Sequence, residues 1–230
     1  MSRSDSAGQV TADGRDARWA DHRSERRARI LAAAIELIDE TDGDVGVVAI
    51  AARADIPRSV VYKLFKDRGD LDEQIRRQII DEVGTEILGS FALTGTLREI
   101  VGSAVTSYVR WVSQHPRLHR FIGAGSSAHP TRGSSAMLGG KAAFARSVRE
   151  LVGIGFDRLA GPAVLPRGAA ENLAYGLMGM TDATVNRWLR AGRERSTRAD
   201  LTRFITEGAC GQIQATAALA GVVIDLDRPL

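Results

Sequence analysis

Apolar residues recur at helical spacing along most of this 230-residue chain, and no stretch of any length alternates as a β-strand would. The first apolar stripe predicts a helix from near Trp19 or Arg23 to Asp39. Residues 1–22 begin with a polar segment that has no apolar periodicity, and they are predicted to form a mobile arm. The whole chain is predicted to be all-α.

Two short helices joined by a tight turn are predicted between residues 47 and 65. Asp55 lies at the turn, where Asp tolerates a left-handed backbone, and Pro57 suits the first turn of the second helix. The apolar face of that helix comprises Val60, Val61, Leu64 and Phe65. Its outward face comprises Arg58, Ser59, Tyr62, Lys63 and Lys66. A short helix with an apolar back and a basic front is what a helix-turn-helix places in the major groove.

The distribution of charge supports this prediction better than the net charge of +3 does. Residues 53–68 contain Arg53, Arg58, Lys63, Lys66 and Arg68 against only Asp55 and Asp67. Further arginines at positions 23, 26, 27 and 29 precede the first apolar stripe. Clustered basic side chains around one candidate groove-reading helix are typical of DNA binding, although a solvated helix face would also be basic.

Residues 24 to 75 resemble the DNA-binding domain of the tetracycline-repressor (TetR) family. The resemblance rests on Ile50-Ala51, Ala54-Asp55, Tyr62, Phe65, and Arg68 ahead of Leu71. The chain departs from the family pattern at three positions. Asp55 replaces the usual turn glycine, Pro57 replaces the usual Ser or Thr cap, and Val45 replaces a Thr, so that Asp44 is the expected cap of the first short helix.

The resemblance implies a dimeric transcriptional repressor that binds double-stranded DNA at a palindromic operator and is released by a small ligand. It implies an N-terminal three-helix helix-turn-helix domain, residues 23–70, and a larger C-terminal helical domain for ligand binding and dimerisation, residues 71–221. Residues 222–230 are predicted to be a C-terminal tail. The implied phosphate contacts are Arg23, Arg27, Tyr62, Lys63 and Arg68. Arg58 and Ser59 are the first candidates for base contacts, and Lys63 suits either role.

In the TetR family the C-terminal domain binds a small ligand, and the last two helices form the interface of a homodimer. The candidate pocket residues are Tyr108, Trp111, Phe121, Phe144, Val148, Tyr175 and Met178, with Asn172 and Asp182 as polar contacts. This set predicts a hydrophobic or aromatic effector, although the same residues would also suit a helical core. The candidate interface residues are Leu177, Thr184, Trp188, Leu201, Phe204, Ile205 and Gly208. Gly176, Gly179, Gly208 and Gly211 predict a close approach of these two helices.

Other chemistry finds little support in the sequence. His115 and His119 have metal-ligand spacing, but Pro116 interrupts the helix and no third ligand follows, so no metal is predicted. Cys210 is the only cysteine, which excludes an internal disulfide. No catalytic arrangement is evident, so neither an enzyme nor a cofactor is predicted. The apolar runs are too short to span a membrane and no signal sequence is evident, which predicts a cytoplasmic protein.

Two alternatives to the repressor remain open. One is a helical small-molecule carrier or enzyme that keeps the helix-turn-helix fold without using it, and would ignore DNA at moderate salt. The other is an activator or architectural DNA binder without an effector, whose DNA affinity no ligand would change.

Overall fold

A computed structural model describes residues 6–41, 45–89, 94–124, 134–159 and 165–229. Within these ranges the chain forms nine α-helices and one 3-10 turn, Gly192–Glu194. The helices are α1 (Ser6–Glu40), α2 (Val47–Arg53), α3 (Arg58–Leu64), α4 (Arg68–Gly89), α5 (Leu97–Gln114), α6 (Pro116–Gly123), α7 (Ser135–Leu159), α8 (Ala169–Arg190) and α9 (Arg198–Ala218). The described residues contain no strand beyond an isolated bridge between Thr96 and Pro229. The all-α prediction is confirmed.

Helices α1 to α4 form an N-terminal bundle, in which α1 packs against each of the other three. Its fully buried side chains include Ile30, Ile50, Val61 and Leu71, one from each helix. Each such side chain contributes roughly 1.5 to 3 kcal/mol through burial. Helices α5 to α9 form the second part, where α9 packs on α5 and α8, and α7 packs on α4 and α8. Helix α4 therefore belongs to both parts.

The first helix is much longer than predicted. It begins at Ser6 and not near Trp19 or Arg23, so residues 6 to 22 of the predicted arm are helical. The predicted start of the helix was based on its apolar stripe, and residues 6 to 22 have no such stripe. A helix anchored at Ile30 can nevertheless extend through polar residues, because adding a turn costs far less than nucleating one.

Two helix caps also differ from prediction. Asp70 does not cap α4 but lies in its first turn, where its N–H donates to the Asp67 carboxylate at 2.8 Å. The Asp70 carboxylate accepts in return from the Lys66 N–H at 2.9 Å. The N-cap position of α2 is Gly46, which has no side chain to accept a capping hydrogen bond. Asp44, the predicted cap, lies outside the described residues.

Residues 222–229 are not a free tail. Ile224 and Leu226 are buried against α8 and α9, and the Arg98 N–H of α5 donates to the Leu226 carbonyl at 3.1 Å. The Arg98 guanidinium donates to the carboxylates of Asp227 at 2.8 Å and Glu207 at 2.6 Å. These hydrogen bonds raise the pKa of Arg98. The boundary predicted at residue 221 is therefore wrong, and this segment completes the second core.

The predicted close approach of α8 and α9 holds at two of the four glycines. A Cβ atom on Gly176 would lie 2.6 Å from the Gln212 side chain, and one on Gly208 would lie 2.7 Å from the Met180 sulfur. Gly179 and Gly211 have nothing described within 4 Å of such a Cβ position, and both are exposed on the outer side of the helix pair.

Candidate functional site

The turn between α2 and α3 is held by backbone and side-chain hydrogen bonds. The Ile56 N–H donates to the Ala51 carbonyl at 3.0 Å. Asp55 has φ +51°, the left-handed conformation predicted for it. Arg29 of α1 donates to the Ala54 carbonyl at 2.6 Å and so fixes the turn to the first helix. These contacts set the angle at which α3 leaves the bundle.

Replacing Asp55 with glycine should raise the free energy of unfolding by up to about 1 kcal/mol. A left-handed residue with a Cβ costs roughly 1–2 kcal/mol, and glycine avoids this cost while losing more entropy on folding. Asp55→Val should instead lower the free energy by about 1–3 kcal/mol. Urea unfolding of both variants at one protein concentration tests this. If Asp55→Gly lowered the free energy of unfolding as much as Asp55→Val, the prediction would be contradicted.

The outward surface of α3 is the basic one that the sequence predicted. We define the recognition face as Arg58, Ser59, Tyr62, Lys63 and Lys66, all of which are exposed. Val61 and Phe65 are buried beneath it, and Val60 and Leu64 are half-buried. Because the opposite side of α3 is embedded in the bundle, the recognition face is presented on a rigid support.

Two members of the recognition face hold each other. The Arg58 guanidinium donates to the Tyr62 hydroxyl at 3.1 Å and lies 5.3 Å from the centre of the Tyr62 ring. The two residues are four apart, which places their side chains together on a helix. Arg58 is thereby kept extended along the exposed surface of α3.

The other basic residues around α3 are used in different ways. Arg23 is exposed on α1. Arg27 is half-buried over Phe65 and donates to Gln74 of α4 at 2.7 Å. Arg68 donates to the buried Asp72 carboxylate at 2.8 Å. Arg27 therefore links α1 to α4, whereas Arg68 is paired within α4, and their predicted phosphate contacts stay predictions.

In the second part, the structure brings together two predicted pocket residues and one that the prediction missed. We call Tyr108 (α5), His119 (α6) and Asp182 (α8) the polar cluster. The Tyr108 hydroxyl lies 3.1 Å from His119 Nε2, which lies 3.8 Å from Asp182 Oδ1. Burial lowers the pKa of His119 although the Asp182 charge opposes this, and the lowered pKa favours the neutral ring. Burial, assisted by Asp182, raises the pKa of Tyr108.

Three other predicted pocket residues are buried or half-buried. Trp111 is buried with its ring 5.7 Å from that of His115. Phe121 is half-buried, and the Arg76 guanidinium covers its ring at 4.6 Å. Met178 is half-buried on α8, one turn before Asp182. These residues lie among the helices that surround the polar cluster.

The remaining pocket predictions are not supported. Asn172 and Tyr175 are exposed because the buried side of α8 is set by Leu173 and Ala174, and Phe144 of α7 is also exposed. The first two therefore lie on the outer side of α8 and not in an interior pocket. The side chain of Val148 lies outside the described residues.

The predicted dimer residues divide between core and surface. Trp188, Leu201 and Ile205 are buried in the core of their own chain, so their assignment to an interface is wrong. Helical periodicity selected the most apolar stripe, which here faces the core of the same chain. Phe204 is 64% exposed and suits an interface. The other candidates lie between these extremes: Leu177, Thr184 and Gly208 are partly buried between α8 and its neighbours.

Helix α6 connects the polar cluster to the N-terminal bundle. At its start, His115 Nδ1 lies 2.6 Å from the Asp39 carboxylate of α1, and Arg117 donates to the Asp39 carbonyl at 3.0 Å. Near its end, Arg76 of α4 donates to the Phe121 carbonyl at 3.2 Å. His119 lies between these contacts. Sequence analysis missed His119 because it was considered only as a partner of His115 for a metal.

The two histidines have different partners and do not converge. Across the described ranges, no group of three or more His, Cys, Asp or Glu side chains could hold a metal ion. Nor is any helix in those ranges long and apolar enough to cross a membrane.

A basic recognition face on the second helix of a helix-turn-helix is an arrangement suited to DNA binding, and here it is joined to an all-helical second part. No family model matches the chain. It is 25% identical over 216 residues to two Mycobacterium tuberculosis proteins, from strains CDC 1551 and H37Rv, each named as an uncharacterized HTH-type transcriptional regulator. The match covers 91% of this chain and 88% of each relative.

Solved structures show the same architecture. A TetR-family transcriptional regulator from Streptomyces coelicolor superposes with a TM-score of 0.66 at 19% identity, covering 85% of this chain and 83% of that one. RolR, solved in complex with the ligand resorcinol, superposes with a TM-score of 0.61 at 18% identity, covering 91% of this chain and 100% of that one. The chain thus has the fold of the TetR-family transcriptional regulators, which confirms the predicted resemblance at the level of the fold.

Proposed function

We propose that the protein is a TetR-type transcriptional regulator that represses by binding a palindromic operator as a homodimer, and that a small aromatic or hydrophobic effector releases it. The observation that carries this proposal is the recognition face. Four exposed polar side chains project from a helix whose other side is buried, and exposed Lys66 follows just after the end of that helix, so that three of the five side chains are basic. An enzyme or carrier fold would not need such a surface.

Within the recognition face, different residues suit different contacts. Arg58 and Ser59 are the first two residues of α3. In a helix-turn-helix, the N-terminal residues of the recognition helix contact the base edges in the major groove. An arginine bidentate to guanine is the commonest specific contact. Tyr62 and Lys63, one turn later, suit phosphates, and exposed Arg23 suits them from α1.

Two copies would associate through the outer sides of α8 and α9. Phe204, Gly211 and Gly179 are exposed there, and the glycines leave room for a partner helix to approach closely. A partner packed on this side would cover the exposed Phe204 side chain. A twofold dimer of this kind requires a twofold operator.

Effector control would act through α6. This helix contacts α1 through Asp39 and α4 through Arg76, while its His119 belongs to the polar cluster. A ligand that favours one position of α6 would favour one spacing of the two recognition faces. Release from DNA then follows from the difference in ligand affinity between the two states. An aromatic effector is in keeping with RolR, whose ligand is resorcinol.

The test is selection of random DNA duplexes by the purified protein at moderate salt, followed by sequencing. Enrichment of a palindrome supports a dimeric, sequence-specific regulator. Binding that is sensitive to salt but blind to sequence would instead favour an architectural protein, and no binding would favour a carrier.

Arg58→Ala should lower the preference for the selected operator over a one-base variant by about 1–3 kcal/mol, since the bidentate base contact is lost. Lys66→Ala, a matched change of an exposed cation on the same face, should weaken binding to all duplexes alike. Fluorescence anisotropy with both duplexes measures the two effects. A loss for Arg58→Ala that is equal on both duplexes would contradict its base-reading role.

A further inference from the structure

The polar cluster is a set of hydrogen-bonding side chains placed where three helices of the second part meet. From its geometry we infer that Tyr108, His119 and Asp182 bind the hydroxyl group of a neutral phenol-type effector and discriminate against carboxylates. This inference rests on the proposed function, because it assigns the chemical class of the effector that would control DNA binding.

The cluster has an inner and an outer end. His119 is 7% exposed, and its ring meets that of Tyr108 edge-on, with 6.2 Å between ring centres and 62° between planes. The Asp182 side chain is 64% exposed and forms the outer end. An entering ring would therefore pass Asp182 and meet two aromatic side chains, whose edges and faces suit another aromatic ring.

The spacing fits a bridging hydroxyl. The 3.8 Å between His119 Nε2 and Asp182 Oδ1 is too long for a direct hydrogen bond. An oxygen atom placed about 2.8 Å from each would lie within hydrogen-bond distance of both. A phenol hydroxyl there can donate to the Asp182 carboxylate and accept from the Tyr108 hydroxyl, whose oxygen accepts in turn from the single Nε2–H of neutral His119.

The charges oppose an acidic ligand. Asp182 places a carboxylate at the outer end, and the burial that lowers the pKa of His119 removes the cation that would pair with an anion. A benzoate would therefore meet like charge and could not donate to Asp182. Half-buried Met178, one turn before Asp182 on α8, adds an apolar side chain for the ring of the ligand.

The binding test uses the full chain and three probes: phenol, resorcinol and benzoate, titrated by isothermal calorimetry at neutral pH. Phenol and resorcinol should bind the wild type at least tenfold more tightly than benzoate. Tyr108→Phe should weaken phenol binding roughly tenfold, the effect of one lost hydrogen bond. Tyr175→Phe, the matched change of an exposed tyrosine on the outer side of α8, should leave phenol affinity unchanged.

The exposed Asp182 gives a second variant with little risk to folding. Asp182→Asn should raise benzoate affinity relative to phenol by about tenfold, because the repulsive charge is gone while the shape is kept. The inference is overturned by equal binding of phenol and benzoate, by an unchanged ratio in Asp182→Asn, or by no phenol binding at millimolar concentration. If the duplex selection finds a palindrome while the phenols fail, this inference falls alone. If the phenols bind while no palindrome emerges, the proposed function falls alone.

Discussion

Replacing Arg76 with methionine should lower the free energy of unfolding by about 3–5 kcal/mol, the cost of removing one partner from a buried ion pair. Arg76 is 3% exposed, and its guanidinium lies 3.1 Å from the Glu73 carboxylate. It also donates to the Phe121 carbonyl of α6 and covers the Phe121 ring. Methionine keeps the length of the side chain but leaves Glu73 and this carbonyl without the charge.

Arg77→Met is the matched control, since Arg77 is the adjacent residue of α4 but is exposed. It should change the free energy of unfolding by no more than about 0.5 kcal/mol. Urea denaturation at one protein concentration measures both, with unchanged slope showing that the folded state is intact. Equal, small effects of the two substitutions would mean that Arg76 does not hold α6 to α4.

Glu73 extends the same connection to α7. Its carboxylate accepts from the Ala136 N–H at 3.0 Å and from the Ser135 hydroxyl at 2.8 Å. Burial alone would raise the pKa of Glu73, but these hydrogen bonds and the charge of Arg76 outweigh it and lower the pKa. One turn of α4 thus contacts both helices that follow α5, and the proposed control of DNA binding would act through these contacts.

The helix-turn-helix was predictable because its signals are local. The buried and exposed sides of α3 follow from the spacing of apolar residues within seven positions, and Asp55 marks the turn by its own backbone preference. The structure agrees with both. The local pattern did not show which arginines form hydrogen bonds within the protein. Arg27 and Arg68 do so, because each donates to a side chain of α4.

The second part was less predictable because helical periodicity identifies the apolar stripe of a helix but not the element that packs against it. Trp188 and Ile205 belong to the stripes proposed for dimerisation, yet they face the chain's own core. The exposed neighbour Phe204 differs from Ile205 by one position, about 100° around the helix. Likewise, no sequence spacing pairs Tyr108 with Asp182, because only the packing of α5, α6 and α8 brings them together.

The last eight described residues contain an apolar alternation that is too short to predict a packed segment from sequence, yet the segment is packed in the structure. Val222, Ile224 and Leu226 alternate with Val223 and Asp225 as in a half-buried extended segment. Their partners include Ile213 of the preceding helix α9 and Leu97 at the start of α5, which is far earlier in the sequence. The alternation therefore gains meaning only once α5 and α9 are paired.

Leu226→Ala should accordingly lower the free energy of unfolding by about 2–5 kcal/mol, because it opens a cavity where a side chain is now 2% exposed. Val223→Ala is the matched control from the same segment: Val223 is 95% exposed, and the change should stay within about 0.5 kcal/mol.

Urea unfolding compares the two variants, and hydrogen exchange gives an independent measure. The Arg98 N–H donates to the Leu226 carbonyl, so it should be protected in the wild type and exchange faster in Leu226→Ala. If both variants unfold alike and the Arg98 N–H exchanges freely, residues 222–229 do not pack on the helices, and the tail predicted from sequence would be the better description.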